Sequence, residues 1–517
     1  MNRRSFLRVL GGTGAAAAIG VPLLTGIRGS ESTGVLLPSR RRLPDPFIRP
    51  LPIPPILTPV RSDATGDHYE ITQRPGTAEI LPGIATPIWG YDGMFPGPTI
   101  VATSGRPVVV RHRNELPVPV AVHLHGGLTP AESDGFPTDL LYPPGGRALP
   151  PSGPVSSSPG HVHDAGGHSA GAVAVGTRDY TYPMNQPAAT LWYHDHRMDF
   201  TAPAVWRGLA GFHIVRDATE TGLPTGDRDI PLMIADRSFD ADGSLLYPSI
   251  DPTLLHTPGV TGDYHAGVLG DVILVNGAAW PTATIPRARH RLRLLNASNA
   301  RRYRLALDPA RPLLQIGTDG GLLPTPTPHD HIDLAPGQRC DVIVDFAHYP
   351  DGQHVFLHNL FDSGPTSQVM RFEVATRIAD TTRVPDHFPT ASPPATPTAV
   401  TRTFHFQRDN GSWNINGLPF SPGTPIASPR HGTTETWRLM SDFHHPIHVH
   451  AAQFEVVSRG LGAPSPLDLG PRDTIDLRPA EEVTTRVHFG PYPGRYVLHC
   501  HNLEHEDMAM MAAFTLT

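Results

Sequence analysis

The segment HCHNLEHEDMAM, residues 499–510, sets one cysteine between two histidines and follows it with His505 and Met510. Thiolate, imidazole and thioether together are the donors that late transition metals prefer. His-x-His recurs along the chain. Random placement of 29 histidines in 517 residues would give roughly 1.6 such triplets, and six are present, so most of them need a cause. His161/His163 lie in a Gly/Ser-rich run and His329/His331 follow TPTP; neither pair has a partner, and both are read as decoys. The other four are HLH at 123–125, HDH at 194–196, HVH at 448–450 and HCH at 499–501.

On a strand, residues i and i+2 point to one face, so each triplet offers two imidazoles to one surface. Four triplets offer eight imidazoles, a donor set that suits several copper ions; the lack of ligand carboxylates disfavours hard Ca or Mg. The same alternation sends Cys500 to the face opposite His499 and His501. A thiolate on one side and two imidazoles on the other would join two metal sites by a covalent route for electrons. His445, Cys500, His505 and Met510 match the two-histidine, one-cysteine, axial-methionine ligand set of a blue-copper electron-transfer centre.

The elements that must hold these residues are strands. With 59 Pro, 50 Gly and 7% aromatics, the composition favours short strands and turns over long helices, and the length implies about three domains. Three openings resemble one another: GYDGMFPGPTI from Gly90, VNGAAWPTATI from Val275 and INGLPFSPGTP from Ile415. Each leads into an alternating segment, RPVVVRHRNEL, RHRLRLLNAS or TTETWRLMS, the pattern of a half-buried strand. An all-β chain of three β-sandwiches is expected, with domains at 61–217, 226–375 and 401–517. The closing strands TLWYHDH, HVFLHNLF and RYVLHCHNLEH are comparable. Leu357 stands in the second where Cys500 stands in the third, so the second domain is expected to have no copper site of its own.

Residues 29–60 are a Pro/Arg-rich lead-in expected to be extended. Residues 143–176, poor in large apolar side chains, are read as a flexible surface loop of domain 1, and 376–400 as a Thr/Pro-rich linker. The start, MNRRSFLRVL followed by a Gly/Ala run, resembles a twin-arginine export signal over 1–28. A periplasmic, cell-surface or extracellular location is therefore expected, with no stable membrane insertion once the signal is removed. The net charge of −7, with dispersed arginines and no lysine, lacks the basic cluster that nucleic acid requires. Two cysteines, Cys340 and Cys500, allow at most one bridge, and none if Cys500 binds metal; Cys340 reads as a small buried thiol.

HLHG, WYHDH, HPIHVH and HCHNLEHEDMAM, in order over about residues 80–517, resemble the four copper motifs of the multicopper oxidase family. HLHGGLTPAESDGFP and LEHED look closest to its bacterial spore-coat laccase and bilirubin oxidase branch. The resemblance implies three cupredoxin-like Greek-key sandwiches and four copper ions, with a trinuclear cluster between domains 1 and 3. Carried over by position, His445, Cys500, His505 and axial Met510 hold type 1 copper. His123 and His448 hold type 2, and His125, His194, His196, His450, His499 and His501 hold the type 3 pair. Asp134 and Glu506 match acidic positions of the bacterial pattern, where a carboxylate can relay protons to the site of O2 reduction.

The implied activity is that of a laccase: one-electron oxidation of phenols and aromatic amines coupled to four-electron reduction of O2 to water, with electrons entering by an exposed edge of His505 or His445. A monomer with O2 and small aromatic reductants as its partners is expected. Rival readings are a metallo-oxidase of Cu(I) or Mn(II), a bilirubin oxidase and, more remotely, a non-enzymatic exported cupredoxin scaffold, which would have lost the ligands present here.

Overall fold

A computed structural model describes residues 32–146, 171–389 and 398–517. The twin-arginine segment, His161 and His163 with most of the 143–176 stretch, and the middle of the 376–400 linker lie outside the described residues.

Strands form where buried and exposed residues alternate, as in VVVRHRN over Val108–Asn114 and EVTTRVHF over Glu482–Phe489, because successive side chains leave a strand on opposite faces. The strands build three cupredoxin-like sandwiches of two sheets each. Each sandwich carries an equivalent parallel pair: Gly66–Glu79 with Val108–Asn114, Asp229–Phe239 with Arg289–Asn296, and Thr401–Asp409 with Thr434–Ser441. The three similar openings fall between the two members of each pair, so the sequence repeat reflects a repeated crossover.

Two four-stranded sheets position the histidines. In the first sandwich the order is Gly97–Thr103, Ala210–Arg216, Ala189–Asp195, Val122–His125; in the third it is Thr474–Leu477, His445–Val449, Gly494–Cys500, Met511–Leu516. Apolar side chains fill each sandwich, and the first two share one core in which Trp192 and Phe212 join Leu292, Leu294 and Val342. A short helix, Leu503–Asp507, locks the third sandwich to the first: Asp507 accepts from the amides of Thr201 and Ala202 at 2.8 and 2.9 Å, at the start of the helix Thr201–Arg207. A carboxylate is favoured there because those N–H groups have no partner within the helix.

The lead-in is extended, and it is also pinned. Val35–Leu37 pairs with Val268–Gly270, and bridges tie Pro50 to Thr282 and Ile56 to Thr99. The reading of 143–176 as flexible loop fails at its end, where Val173–Val175 pairs in parallel with Leu140–Tyr142 in a two-stranded sheet.

Between the first and second sandwiches lies a buried charge cluster. Arg293 binds both Asp229 oxygens at 2.8 and 3.0 Å, Arg291 binds Glu220 and Asp341, and Thr190 donates to Asp341 at 2.8 Å. Burial alone would raise Asp229, but the guanidiniums of Arg293 and Arg291 bring it down to about 2. Arg293→Met leaves carboxylates buried without their cation and is expected to cost about 3–5 kcal/mol of stability, read as a lowered denaturant midpoint with an unchanged m-value.

Candidate metal centre

The four histidine triplets sit at strand ends and are brought into register in pairs. His123 lies opposite His194 across one ladder, and His448 opposite His499 across the other. His196, His450 and His501 follow the last residue of their strands. The two sheets meet at these ends: the His123 and His450 rings stack at 3.8 Å between centroids, and His125 and His448 at 3.6 Å. All eight rings are buried.

Six of the eight rings are anchored by one nitrogen. His123 Nδ1 donates to the Asp134 carbonyl (2.6 Å), His194 Nδ1 to the Asp195 carbonyl (2.8 Å), His448 Nδ1 to the Asp473 carbonyl (2.9 Å) and His499 Nδ1 to the Cys500 carbonyl (3.1 Å). His450 Nδ1 donates to the Asp134 carboxylate at 2.7 Å and His125 Nε2 to that of Asp473 at 3.0 Å. A carbonyl cannot donate, so the anchored nitrogen carries the proton and the other carries a lone pair. Burial, reinforced by neighbouring histidines, drives His123, His125, His194, His450 and His501 well below the ordinary imidazole range and His196 down to about 4. Burial thus disfavours the charged form of these six rings.

The remaining nitrogens fall into three groups. His123 Nε2 and His448 Nε2 face each other at 3.3 Å. His499 Nε2 is 3.2 Å from both His196 Nε2 and His450 Nε2. His125 Nδ1, His194 Nε2 and both His501 nitrogens have no hydrogen-bond partner, and their rings lie 5.0 to 5.9 Å apart. Lone pairs turned on one another repel unless cations lie among them, so the site fits several metal ions held by imidazole; the ring nitrogens of His123, His448 and His450, of His123, His125 and His194, and of His196, His450 and His499 lie within 4.8 Å of one another.

A second group lies on the other side of Cys500. Its Sγ is 3.4 Å from His445 Nδ1 and 3.6 Å from His505 Nδ1, all three being buried. Burial pushes the Cys500 thiol well up, so a thiolate there needs a cation beside it; the Asn502 amide, 3.4 Å from Sγ, favours that form. Met510 is buried in the same apolar cluster. Its amide donates to the His505 carbonyl at 2.9 Å and its carbonyl accepts from the Cys500 amide at 3.0 Å, closing the loop around the sulfur.

The expectation of an exposed edge on His505 or His445 is overturned: both rings are fully buried. The turn Gly262–Ala266 of the second sandwich covers His505, whose Nε2 donates to the Ala266 carbonyl at 3.1 Å. Trp413 stacks on the same ring at 3.7 Å and donates to the His265 carbonyl. His445 Nε2 is taken by Asp442 at 2.9 Å.

Asp134 and Glu506 are not solvated loop charges. Both are buried against ring edges: Asp134 on His450 and His123, Glu506 with one oxygen 3.0 Å from His499 Nδ1 and the other 3.6 Å from His196 Nδ1. Burial raises Asp134 well above the carboxylate range, whereas the histidines around Glu506 outweigh its burial and hold it below. Of the decoys, His329 bonds Gln315 and His331 lies 3.8 Å from Asp333; among the described residues neither joins a ligand cluster. Cys340 is buried and free.

Sequence reasoning missed Asp473, which anchors His125 and His448, and Trp192, stacked on His194 at 4.2 Å. It also missed Trp413 and Asp442. Asp442 had a signal in its spacing of three from His445, and Trp192 in its spacing of two from His194 within WYHDH; Asp473 and Trp413 are joined to the site only by the fold.

A ligand set this complete binds metal only when folded, so Cu(II) is expected to raise the thermal unfolding midpoint, by the equivalent of about 4 kcal/mol at a thousandfold excess over Kd. His499→Ala should remove much of that gain, as measured by calorimetry with and without metal.

Family models described as multicopper oxidase match residues 392–517 and residues 72–148 with 166–220. The chain is 34% identical to a laccase of Bacillus stratosphericus, over 90% of this chain and 98% of the relative. It is 34% identical to a bilirubin oxidase of Albifimbria verrucaria, over 91% and 81%. The crystal structure of a multi-copper oxidase from Pediococcus acidilactici superposes with a TM-score of 0.79 at 29% identity, covering 93% of each chain.

Proposed function

Because this chain belongs to the multicopper oxidase family and is a laccase-like enzyme, we propose that it holds four copper ions at the two groups of ligands just described. His445, Cys500, His505 and Met510 would hold the type 1 ion. His123 and His448 are the type 2 ligands; His196, His450 and His499 take one type 3 ion and His125, His194 and His501 the other. The observation that supports this reading is the crowding of inward nitrogens, with His123 Nε2 3.3 Å from His448 Nε2, His499 Nε2 3.2 Å from those of His196 and His450, and nitrogens of His125, His194 and His501 left without a partner beside them. When bound, copper would supply one-electron chemistry at the cysteine and reduction of O2 to water at the cluster.

The chain's own residues do the rest. Cys500 is joined by its peptide bonds to His499 and His501, so the thiolate site and the cluster are linked by a short covalent run. Four donors each give up one electron, and O2 takes these four with four protons to make two waters. Asp134 and Glu506 are proposed to deliver those protons. Glu506 lies between two type 3 rings, with Oε2 3.0 Å from His499 Nδ1 and Oε1 3.6 Å from His196 Nδ1, a position from which a carboxylate can take up a proton and pass it on.

Organic donors, phenols and aromatic amines, are proposed to be oxidised without touching copper ligands, at the surface made by the Gly262–Ala266 turn that covers His505. Oxidation of Cu(I) or Mn(II) is a second reading, favoured by Asp442, a partly exposed carboxylate hydrogen-bonded to His445. Export by the twin-arginine route is proposed from Arg3, Arg4 and the Gly/Ala run. Among the described residues no helix is long and apolar enough to cross a membrane.

Oxygen uptake by the copper-loaded protein, measured with a methoxyphenol, an aromatic amine, bilirubin, Mn(II) and Cu(I), tests the donor class. Uptake with the organic donors at one O2 per four electrons, lost in Cys500→Ser, is expected; uptake confined to metal ions would transfer the assignment to a metallo-oxidase. Glu506→Gln is expected to slow turnover by about a hundredfold or more while anaerobic bleaching of the blue band by donor keeps its wild-type rate. Equal slowing of both would remove Glu506 from the proton route.

A further inference from the structure

The second sandwich was expected to have no copper site of its own, yet one of its side chains grips a residue that anchors the cluster histidines. Arg339 begins the strand Arg339–Asp345 and is fully buried. A guanidinium has five N–H donors, and each of these finds an acceptor. Nε donates to the Thr190 carbonyl at 2.9 Å, in the strand that carries His194. Nη1 donates to the Gly337 carbonyl at 2.9 Å and to Asp473 Oδ1 at 2.8 Å. Nη2 donates to the Asp319 carbonyl at 3.1 Å and to Asp473 Oδ2. One planar group thus binds all three sandwiches.

Asp473 in turn grips two copper-ligand rings. Its Oδ1 accepts from His125 Nε2 and its carbonyl from His448 Nδ1. Thr474 Oγ1, bonded to the same Oδ1 at 2.8 Å, lies 3.1 Å from His125 Nε2 and 3.3 Å from His448 Nδ1. Two glycines make this approach possible. At Gly126, the residue after HLH, a Cβ would meet Arg339 Nη2 at 2.4 Å; at Gly337 it would meet His501 at 2.9 Å and His125 at 3.0 Å. Both have positive φ, +88° and +84°, where a side chain is strained in any case.

We propose that Arg339 is a positioning residue for the trinuclear cluster: through Asp473 it fixes the rings of His448 and His125, so the sandwich without copper ligands sets the geometry of the type 2 site. The proposal rests on the copper assignment above. A carboxylate held by a bidentate guanidinium has one orientation; His125 Nε2 bonds its Oδ1 at 3.0 Å, and His448 Nδ1, bonded to the carbonyl of the same residue, lies 3.5 Å from that oxygen. Lysine cannot replace it in full, since an ammonium is a point charge with three donors.

The test is electron paramagnetic resonance and copper analysis of the full-length copper-loaded protein, in wild type, Arg339→Met, Arg339→Lys and Asp473→Asn. The blue absorption of the type 1 site reports folding independently of the cluster. Expected are an unchanged blue band in all four, with type 2 copper held about 10–100-fold more weakly in Arg339→Met and Asp473→Asn. Its hyperfine splitting should be altered in these two and intermediate in Arg339→Lys. Should Arg339→Met fail to accumulate as a blue protein, Arg339→Lys and Asp473→Asn carry the decision by the same readouts. Wild-type hyperfine splitting and copper content in the blue variants would overturn the proposal and leave the copper assignment standing, since a merely structural tie lowers stability without moving that signal. A wild-type protein with a blue band and no type 2 signal would overturn both.

Discussion

Eight neutral imidazoles turned toward one another inside a protein make an arrangement that hydrogen bonds alone cannot satisfy. Each ring has given its N–H to an outward acceptor or is left without one, so the inward nitrogens present lone pairs to lone pairs at 3.2 and 3.3 Å. Burying unpaired acceptors costs free energy at every ring, and cations among them turn that cost into binding. The rest of the molecule answers this requirement: sheets whose ends meet, carbonyls of Asp134, Asp195, Asp473 and Cys500 that set the tautomers, and a second sandwich whose Arg339 ties the other two together.

The position of Cys500 follows from the same strand geometry. The alternation that turns His499 toward the cluster turns the sulfur toward His445 and His505, so one residue's shift in register would separate the thiolate from both histidines. The helix Leu503–Asp507 carries three functions in five residues: His505 faces the sulfur, Glu506 the cluster rings, and Asp507 the start of the helix Thr201–Arg207. Binding at either metal group is therefore coupled mechanically to the contact between the first and third sandwiches.

Much of this was legible in the sequence because the chemistry is written at short range. A spacing of two on a strand states which imidazoles share a face, and the paired triplets pointed to one shared cluster before any register was known. The repeat of openings at Gly90, Val275 and Ile415 announced three related sandwiches. Legibility ended where contacts join residues far apart in the chain. Nothing near LAPGQRCDVIVDF signals that Arg339 reaches Asp473, and the cover over His505 comes from Ala266 and Trp413, each from a different sandwich. An exposed electron-entry edge was expected because local spacing describes a ligand's partners in its own strand and says nothing of what packs over it. The end of the 143–176 stretch was misjudged for a similar reason: Val173–Val175 is ordered by a neighbouring strand edge and not by its own composition.

Anomalous diffraction from crystals of the copper-loaded protein, recorded on both sides of the copper absorption edge, tests the central claim most directly. The account predicts four peaks: one among His445, Cys500, His505 and Met510, one between His123 and His448, one among His196, His450 and His499, and one among His125, His194 and His501. Full loading with a different number of peaks, or peaks bound by carboxylates instead of these rings, would contradict it.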